Sequence, residues 1–299
     1  MLNPVHLRTL AAVVRAGSFA DAARWLGYTA SAVSQQIAAL ERATKLPLFE
    51  RGAASVRPTP AALLLVERAR DILGALDGLD EDLHAISEGR LGRLRLGSFP
   101  TASERLLPAG LAAYTQGHPG VEIHLDEGEP DELLLLLQEG ELDIALVFAY
   151  DLVPRRWPEG VTVTALLDED LLLLVPAGHR LAGARRVELA ELAAETWVAT
   201  RDGTAAEACL TRLCAQLGFA PSIGYRSNDY AVVRAFVRAG LGVALVPELG
   251  YQATDGVVRA QLVDVTARRH IAALQRLPAA NPAIADAVHA LNVSAQTLS

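Results

Sequence analysis

Ser31, Ser34, Gln35 and Arg42 recur at helical spacing, so two hydroxyls, an amide and a guanidinium share one side, with Ala38 among them. Val33, Ile37 and Leu40 fall within about 60° of arc on the other side. Such a set makes hydrogen bonds and does not break covalent ones: a Gln amide pairs bidentately with adenine, and Ser and Arg reach phosphates or base edges. No carboxylate enters the run before Glu41, as suits a face that meets phosphate. The inventory for catalysis is thin by comparison. His6, His84, His118, His124, His179, His270 and His289 show no metal-ligand spacing. Cys209 and Cys214, five apart in a predicted helix, point to different sides and read as buried small hydrophobes, without disulfide or metal spacing. The expectation is therefore no catalytic residue, no metal and no cofactor.

Short helices must position these side chains. Ser18 reads as the N-cap of a helix ending near Leu26, Gly27 as a turn, and Thr29 as the N-cap of a second helix ending near Thr44. This is the grammar of a helix-turn-helix, although geometry alone fits a plain helical hairpin equally well. Asn3 and Pro4 open a supporting helix with Leu7, Leu10, Ala11 and Val14 on one stripe. Lys45–Gly52 and Ser55–Thr59 are turn-rich and β-prone, like a small hairpin wing with Arg51 and Arg57 beside it. Thr59-Pro60 then starts a helix predicted to reach about Glu88 and to stop at Gly89. In it Ala62, Ala69, Leu76 and Leu83 repeat every seven residues, and Leu65, Ile72, Leu79 and Ile86 follow each by three. That seam predicts a homodimer placing two reading helices on two half-sites.

The chain has 299 residues, 51% of them hydrophobic, enough for two or three well-filled domains. Its longest apolar runs, such as Leu133–Leu137 and Leu171–Val175, are far shorter than the roughly 20 residues of a membrane span. Arg8 and Arg15 interrupt any export-signal core, so a cytoplasmic, membrane-free location is expected. The net charge of -8 is unevenly spread: residues 1–60 carry seven basic and three acidic side chains, and the remainder is strongly acidic. A basic module on an acidic body is the asymmetry expected when one part alone meets phosphate.

From Gly92 onward β and α patterns alternate. Strands are predicted at 93–97, 121–126, 143–147, 161–167, 171–175, 196–200, 222–225, 242–246 and 271–275, and helices at 101–116, 130–139, 188–194, 204–217, 229–239 and 281–297. Segments 149–160 and 254–260 read as two crossovers forming a hinge between lobes.

FADAARWLGYTASAVSQQIAALERATKLPLFER followed by VRPTPAA resembles the N-terminal signature of LysR-type transcriptional regulators. LRLGSFPTASERLLP, LDEGEPDELLLLLQEGELDIALV and AVVRAFVRAGLGVALVPE are similar, in order and spacing, to the effector domain of that family. The resemblance implies a multidomain protein: a winged helix-turn-helix at 1–58, a linker dimerisation helix at 59–89, and a two-lobed α/β effector domain like a periplasmic binding protein at 90–299. Lobe I is expected at about 90–161 and 267–299, and lobe II at about 162–266. The implied function is sequence-specific binding to a dyad-symmetric promoter site, modulated by a small molecule between the lobes. Double-stranded DNA, a second copy of the chain, commonly tetramers, a small-molecule effector and RNA polymerase are the implied partners. Carried over to this sequence, the groove contacts are Thr29, Ala30, Ser31, Ser34 and Gln35, with Arg51 and Arg57 on the backbone; Ser18 and Arg42 complete the DNA-binding candidates. The loop RGAASV has no second basic residue, and Ala62 stands where Gly is frequent.

For the effector, Pro100, Thr101, Ala102 and Ser103 lie where one predicted strand enters a helix, and Arg201, Asp202 and Thr204 lie where another does. Ligands of open α/β sheets sit beyond strand carboxyl ends, and helix N-termini favour anions. Glu129 stands at the same lip, which argues against a purely anionic effector and leaves amphoteric, apolar or cationic molecules open. Asn228 and Pro247 complete the expected lining. A small-molecule receptor without a DNA role, or an enzyme built on the α/β half, is the alternative; the basic N-terminal module and the sparse catalytic inventory weigh against both.

Overall fold

A computed structural model of the chain describes residues 2–50, 56–87, 92–277 and 282–298. The backbone divides into two compact units, Met1–Arg93 with Gln138–Leu142, and Leu94–Leu137 with Asp143–Ser299.

In the first unit, α1 (Pro4–Ala16) is opened by Asn3, whose Oδ1 accepts from the Val5 N–H at 2.9 Å. Helix α2 (Phe19–Leu26) is capped by Ser18, and α3 (Ala30–Thr44) by Thr29, whose hydroxyl accepts from the Ala32 N–H at 3.2 Å. Gly27 links α2 to α3 at φ +67°, a left-handed conformation that a side chain would strain. Leu7, Leu10, Val13, Ala22, Ala23, Val33, Ile37 and Leu40 form one core, each large side chain contributing about 1.5–3 kcal/mol by leaving water. Strands β1 (Phe49–Glu50) and β2 (Arg57–Pro58) pair antiparallel, Phe49 opposite Pro58, as the base of a wing. Arg51, expected beside the wing, lies outside the described residues.

Helix α4 (Pro60–Ser87) differs in detail from the expected heptad seam; Glu88 and Gly89 lie outside the described residues. Ala62 and Ala69 do not face outward: both are buried in the core of the first unit, where α4 packs on α1. The stripe left open is Leu64, Ile72 and Leu79, each more than half exposed and within about 80° of arc. The seven-residue period was real, but its first half is used inside the protomer.

The second unit is built on one mixed eight-stranded sheet. In chain order its elements are β3 (Gly92–Ser98), α5 (Pro100–Arg105), α6 (Leu107–Gly117), β4 (Val121–Glu127), α7 (Pro130–Glu139), β5 (Ile144–Tyr150), β6 (Val161–Pro176) and β7 (Arg186–Val187). A 3₁₀ turn at Leu189–Leu192 follows, then β8 (Thr196–Ala199), α8 (Ala205–Gln216), β9 (Ser222–Arg226), α9 (Tyr230–Arg238), β10 (Ala244–Pro247), β11 (Val257–Leu262), β12 (Arg268–Arg276) and α10 (Pro282–Gln296). The strand order is β4-β3-β5-β12-β6-β11-β7, with β10 also on β6; β8 and β9 form a parallel pair. The single helix expected at 101–116 is two, because Pro108 begins a new one at Leu107. The helix expected at 188–194 is only the 3₁₀ turn.

Strand β6 overturns the expected hinge. The two strands predicted at 161–167 and 171–175 are one continuous strand of 16 residues. Its first part pairs antiparallel with β12, up to Asp170 opposite Arg268; its second part, from Leu171, pairs with β10 and β11. The chain therefore passes between lobes inside β6 near Asp170–Leu171 and returns through residues 263–267. Segment 149–160 joins two strands of one lobe, and 254–260 is largely β11, so neither is the crossover expected. The lobe boundary falls near 170 and not at 161–162. Three acidic residues survive mid-strand because the register sets Asp168, Glu169 and Asp170 opposite His270, Arg269 and Arg268.

Candidate functional site

On α3, Ser31, Ser34, Gln35 and Arg42 are all exposed, and none of their side chains is hydrogen-bonded to another described residue. The neighbouring Gln36 is different: half-buried, it takes a hydrogen bond from Thr9 and so belongs to the core side. Glu41, the one carboxylate near the face, turns away, its Oε1 accepting from the Leu48 N–H at 2.7 Å. What remains on the open side is therefore neutral or cationic. Ser18 and Thr29 spend their hydroxyls as caps, Ser18 accepting from Asp21 N–H at 3.4 Å, and Ala30 is exposed at the first turn of α3. Arg57 is exposed and sits opposite Glu50 in the wing. Sequence reasoning gave no role to Trp25 and Tyr28, both strongly exposed beside this face, with the Arg15 guanidinium 5.0 Å from the Trp25 ring centroid.

The second unit holds a cavity of about 440 Å³, open mouth included, lined by Phe99, Pro100, Thr101, Glu129, Phe148, Tyr150, Thr200, Thr204, Ala206, Asn228, Tyr230 and Arg269. Its walls come from the carboxyl ends of β3, β5 and β8 and the starts of α5, α8 and α9, as strand topology requires of a ligand crevice. Five of the expected residues, Pro100, Thr101, Glu129, Thr204 and Asn228, are thus brought together. The others go elsewhere. Ala102 is buried in the main core, Pro247 is in register with Leu171 on β6, and Arg201 and Asp202 are exposed and do not line the cavity, although the Arg201 N–H bonds Asn228 at its rim. Ser103 keeps its hydroxyl buried with no hydrogen-bond partner.

The floor of the cavity is an ion pair that sequence reasoning missed. Arg269 Nε donates to Glu169 Oε1 at 2.6 Å, and each side chain is only 2% exposed. Arg269 Nη2 donates to the Thr101 hydroxyl at 2.9 Å, so the hydroxyl expected to meet a ligand is already engaged. Glu169 Oε2 accepts from the Leu249 N–H at 2.6 Å. The guanidinium lies 5.2 Å from the Phe99 ring centroid and 5.3 Å from that of Phe148, within cation–π range. Burial works against its charge, but Glu169, then Tyr150 and Tyr230, outweigh it and hold its pKa above the ordinary value. The signal in the sequence was two complementary triplets, Asp168-Glu169-Asp170 and Arg268-Arg269-His270, each interrupting or adjoining an apolar strand.

At the rim, Asn228 Nδ2 donates to Glu129 Oε1 at 3.3 Å, from one lobe to the other, while Asn228 Oδ1 accepts from the Arg201 N–H at 2.9 Å. Burial and then Glu132 push the Glu129 carboxyl above the usual carboxylate range, more than Arg155 and Arg201 lower it. Thr204 caps α8 and shares a 2.7 Å hydrogen bond with Thr200, so it lines the cavity and caps at once. The back of the same strands carries the rest of the charge ladder: His270 Nδ1 lies 2.7 Å from Asp168 and Nε2 2.6 Å from Asp151. Those two carboxylates raise the His270 pKa above its ordinary value.

Two family models match the chain: "Bacterial regulatory helix-turn-helix protein, lysR family" over residues 4–63, and "LysR substrate binding domain" over 87–293. The transcriptional regulator CbbR of Rhodospirillum rubrum is 31% identical over 265 residues, covering 88% of this chain and 86% of its own. A probable hydrogen peroxide-inducible genes activator of Mycobacterium avium is 32% identical over 243 residues, covering 81% and 76%. Full-length CbnR, solved with its target DNA, aligns with a TM-score of 0.60 at 25% identity, over 98% of this chain and 100% of that one. With an exposed, carboxylate-free helix face in one unit and a cleft between two lobes in the other, the chain belongs to the LysR family of DNA-binding transcriptional regulators with an effector-binding domain.

Proposed function

We propose that the chain reads a dyad-symmetric promoter sequence as a dimer, and that a small molecule held in the cleft of the second unit modulates it. The observation that carries the DNA half is the unpaired set Ser31, Ser34, Gln35 and Arg42, presented by a helix whose opposite face is fully used in packing. The dimer rests on α4, where Leu64, Ile72 and Leu79 form an apolar stripe open to solvent in the single chain. Assembly of dimers into tetramers and contact with RNA polymerase belong to the same reading, in which the protein works in the cytoplasm and needs no metal or cofactor. It also performs no reaction. Arg269 is engaged by Glu169 and Glu129 by Asn228, and among the described residues no Ser or Cys lines the cleft.

Gln35→Ala tests the groove assignment. Fluorescence anisotropy on the promoter fragment should show a loss of about five- to a hundredfold, confined to one base pair when each position is substituted in turn. An equal loss on random DNA would move Gln35 from base reading to backbone positioning.

The Mycobacterium avium relative is named for peroxide induction, which makes the thiols here relevant. Cys209 and Cys214 are almost wholly buried, and burial pushes both pKa values up to about 12. The thiolate is the form that attacks peroxide, so neither group is suited to sensing it. Brief exposure of the native chain to hydrogen peroxide should leave its promoter affinity unchanged and both thiols free on titration after unfolding. Oxidation of either Cys at a rate above that of a free thiol would show that a signal of this kind operates.

A further inference from the structure

The cleft has aromatic walls suited to an apolar body, and its charge decides what else it accepts. Phe99, Phe148, Tyr150 and Tyr230 supply the walls. Among the described lining residues Arg269 is the one cation and Glu129 the one carboxylate. Arg269 is matched internally: Glu169 neutralises it at 2.6 Å behind the cavity, Thr101 takes a second N–H, and two ring faces cover it. Glu129 is not matched. Among the described residues no cation lies within ion-pair distance of it; Arg155, the nearest candidate on its own side, is bonded to Asp131, and Arg201 is exposed outside the lining. Its one side-chain partner is the neutral Asn228 amide at 3.3 Å, a long bond that a better donor would displace. The cavity thus carries, beside an aromatic box, one carboxylate that has no ion-pair partner among the described residues and feels Arg155 and Arg201 only at longer range.

On the reading that this cleft is the effector site, we propose that its ligand is a small organic cation, a protonated amine on an aromatic or similarly apolar body, with the ammonium donating to Glu129. The rings reinforce the choice, since a cation is attracted to aromatic faces and a carboxylate is not. An anion would meet Glu129 at short range in a cavity of low dielectric, a repulsion that the neutralised Arg269 does not cancel. Bridging follows from position as well. Glu129 belongs to one lobe and Asn228 to the other, so a donor seated on Glu129 lies where closure of the two lobes is felt. The carboxylate must be ionised to hold an ammonium, and burial with Glu132 and Asp131 raises its pKa more than Arg155 and Arg201 lower it, so affinity falls as pH drops through that raised value.

Phenethylamine, 2-phenylethanol and phenylacetate share a shape and differ in charge, and isothermal titration of each into the full chain separates the classes. The amine should bind about ten- to a hundredfold more tightly than the alcohol, and phenylacetate more weakly than either. In Glu129→Gln the amine's advantage should collapse to within a few-fold of the alcohol, phenylacetate should bind no worse, and the melting temperature should hold or rise because a half-buried charge is gone. Phenylacetate binding the wild-type chain as well as the amine, amine binding untouched by Glu129→Gln, or no heat from the amine at millimolar concentration would each overturn the assignment. Ala206→Phe fills the cavity and should exclude all three probes while the chain still melts cooperatively. Amine binding that survives Ala206→Phe would instead refute the cleft as the site, independently of the ligand's charge.

Discussion

Glu169→Ala should destabilise the second unit by about 3–5 kcal/mol, because it leaves the Arg269 guanidinium buried at 2% exposure without its counter-ion. In a unit of this size each kcal/mol moves the melting temperature by roughly 2–4 °C, so calorimetry of the full chain should show its effector-domain transition falling by about 6–20 °C. Several structural consequences add up in the same direction. The Leu249 N–H loses its 2.6 Å acceptor, and the Thr101 hydroxyl is left as the one remaining hydrogen-bond partner shown for Arg269. The pair also ties β12 to β6, the strand inside which the chain crosses between lobes, so its loss loosens the register where β6 changes partners. The paired replacement Glu169→Leu with Arg269→Met should behave differently: with neither charge buried, most of the stability returns, giving a coupling energy of several kcal/mol in a double-mutant cycle. A single Glu169→Ala change costing less than about 1 kcal/mol would mean that water or another carboxylate reaches Arg269, and the description of the cleft floor as a closed pair would be wrong.

That pair also marks the limit of what the sequence made legible. Helix ends were readable because caps are local: Asn3, Ser18 and Thr29 each bond an N–H within three residues, and Gly17 and Gly27 close α1 and α2 in left-handed conformation. The open face of α3 was readable because one side of a helix follows from its period alone. The hinge was not. Asp168-Glu169-Asp170 looks like a break between two strands until its partners, about a hundred residues later in the chain, are known to lie opposite. The same holds for Thr101. Its place at a strand end pointed toward the cleft, but that its hydroxyl serves Arg269 depends on β12 lying across β6. Likewise strand β11, preceded by the turn signal Asp255-Gly256, read as a crossover because its pairing with β6 is long-range. In α4 the heptads were present in the residues, but nothing local says that Ala62 and Ala69 are consumed by α1 while Ile72 and Leu79 stay open.

The open stripe on α4 leads to the second large effect. Ile72→Glu with Leu79→Glu should turn the chain into a monomer by sedimentation equilibrium and lower its affinity for the full promoter site by about a hundred- to ten-thousandfold. Both side chains are more than half exposed in the single chain, so two carboxylates cost the protomer fold little. Placed in a helix–helix seam the same carboxylates would be buried against their own copies, where like charges repel and desolvation is unfavourable. A monomer reads one half-site, and the second half-site then no longer benefits from the high effective concentration that linkage supplies. Binding to an isolated half-site should be nearly unchanged, since Gln35, Ser31, Ser34 and Arg42 lie on α3, away from this stripe. The control substitution Ala62→Glu should act oppositely: buried in the core of the first unit at 0% exposure, it should unfold that unit and abolish half-site binding too. If the doubly charged chain still sediments as a dimer, the dimer is held by another surface, and the apolar stripe on α4 needs a different occupant.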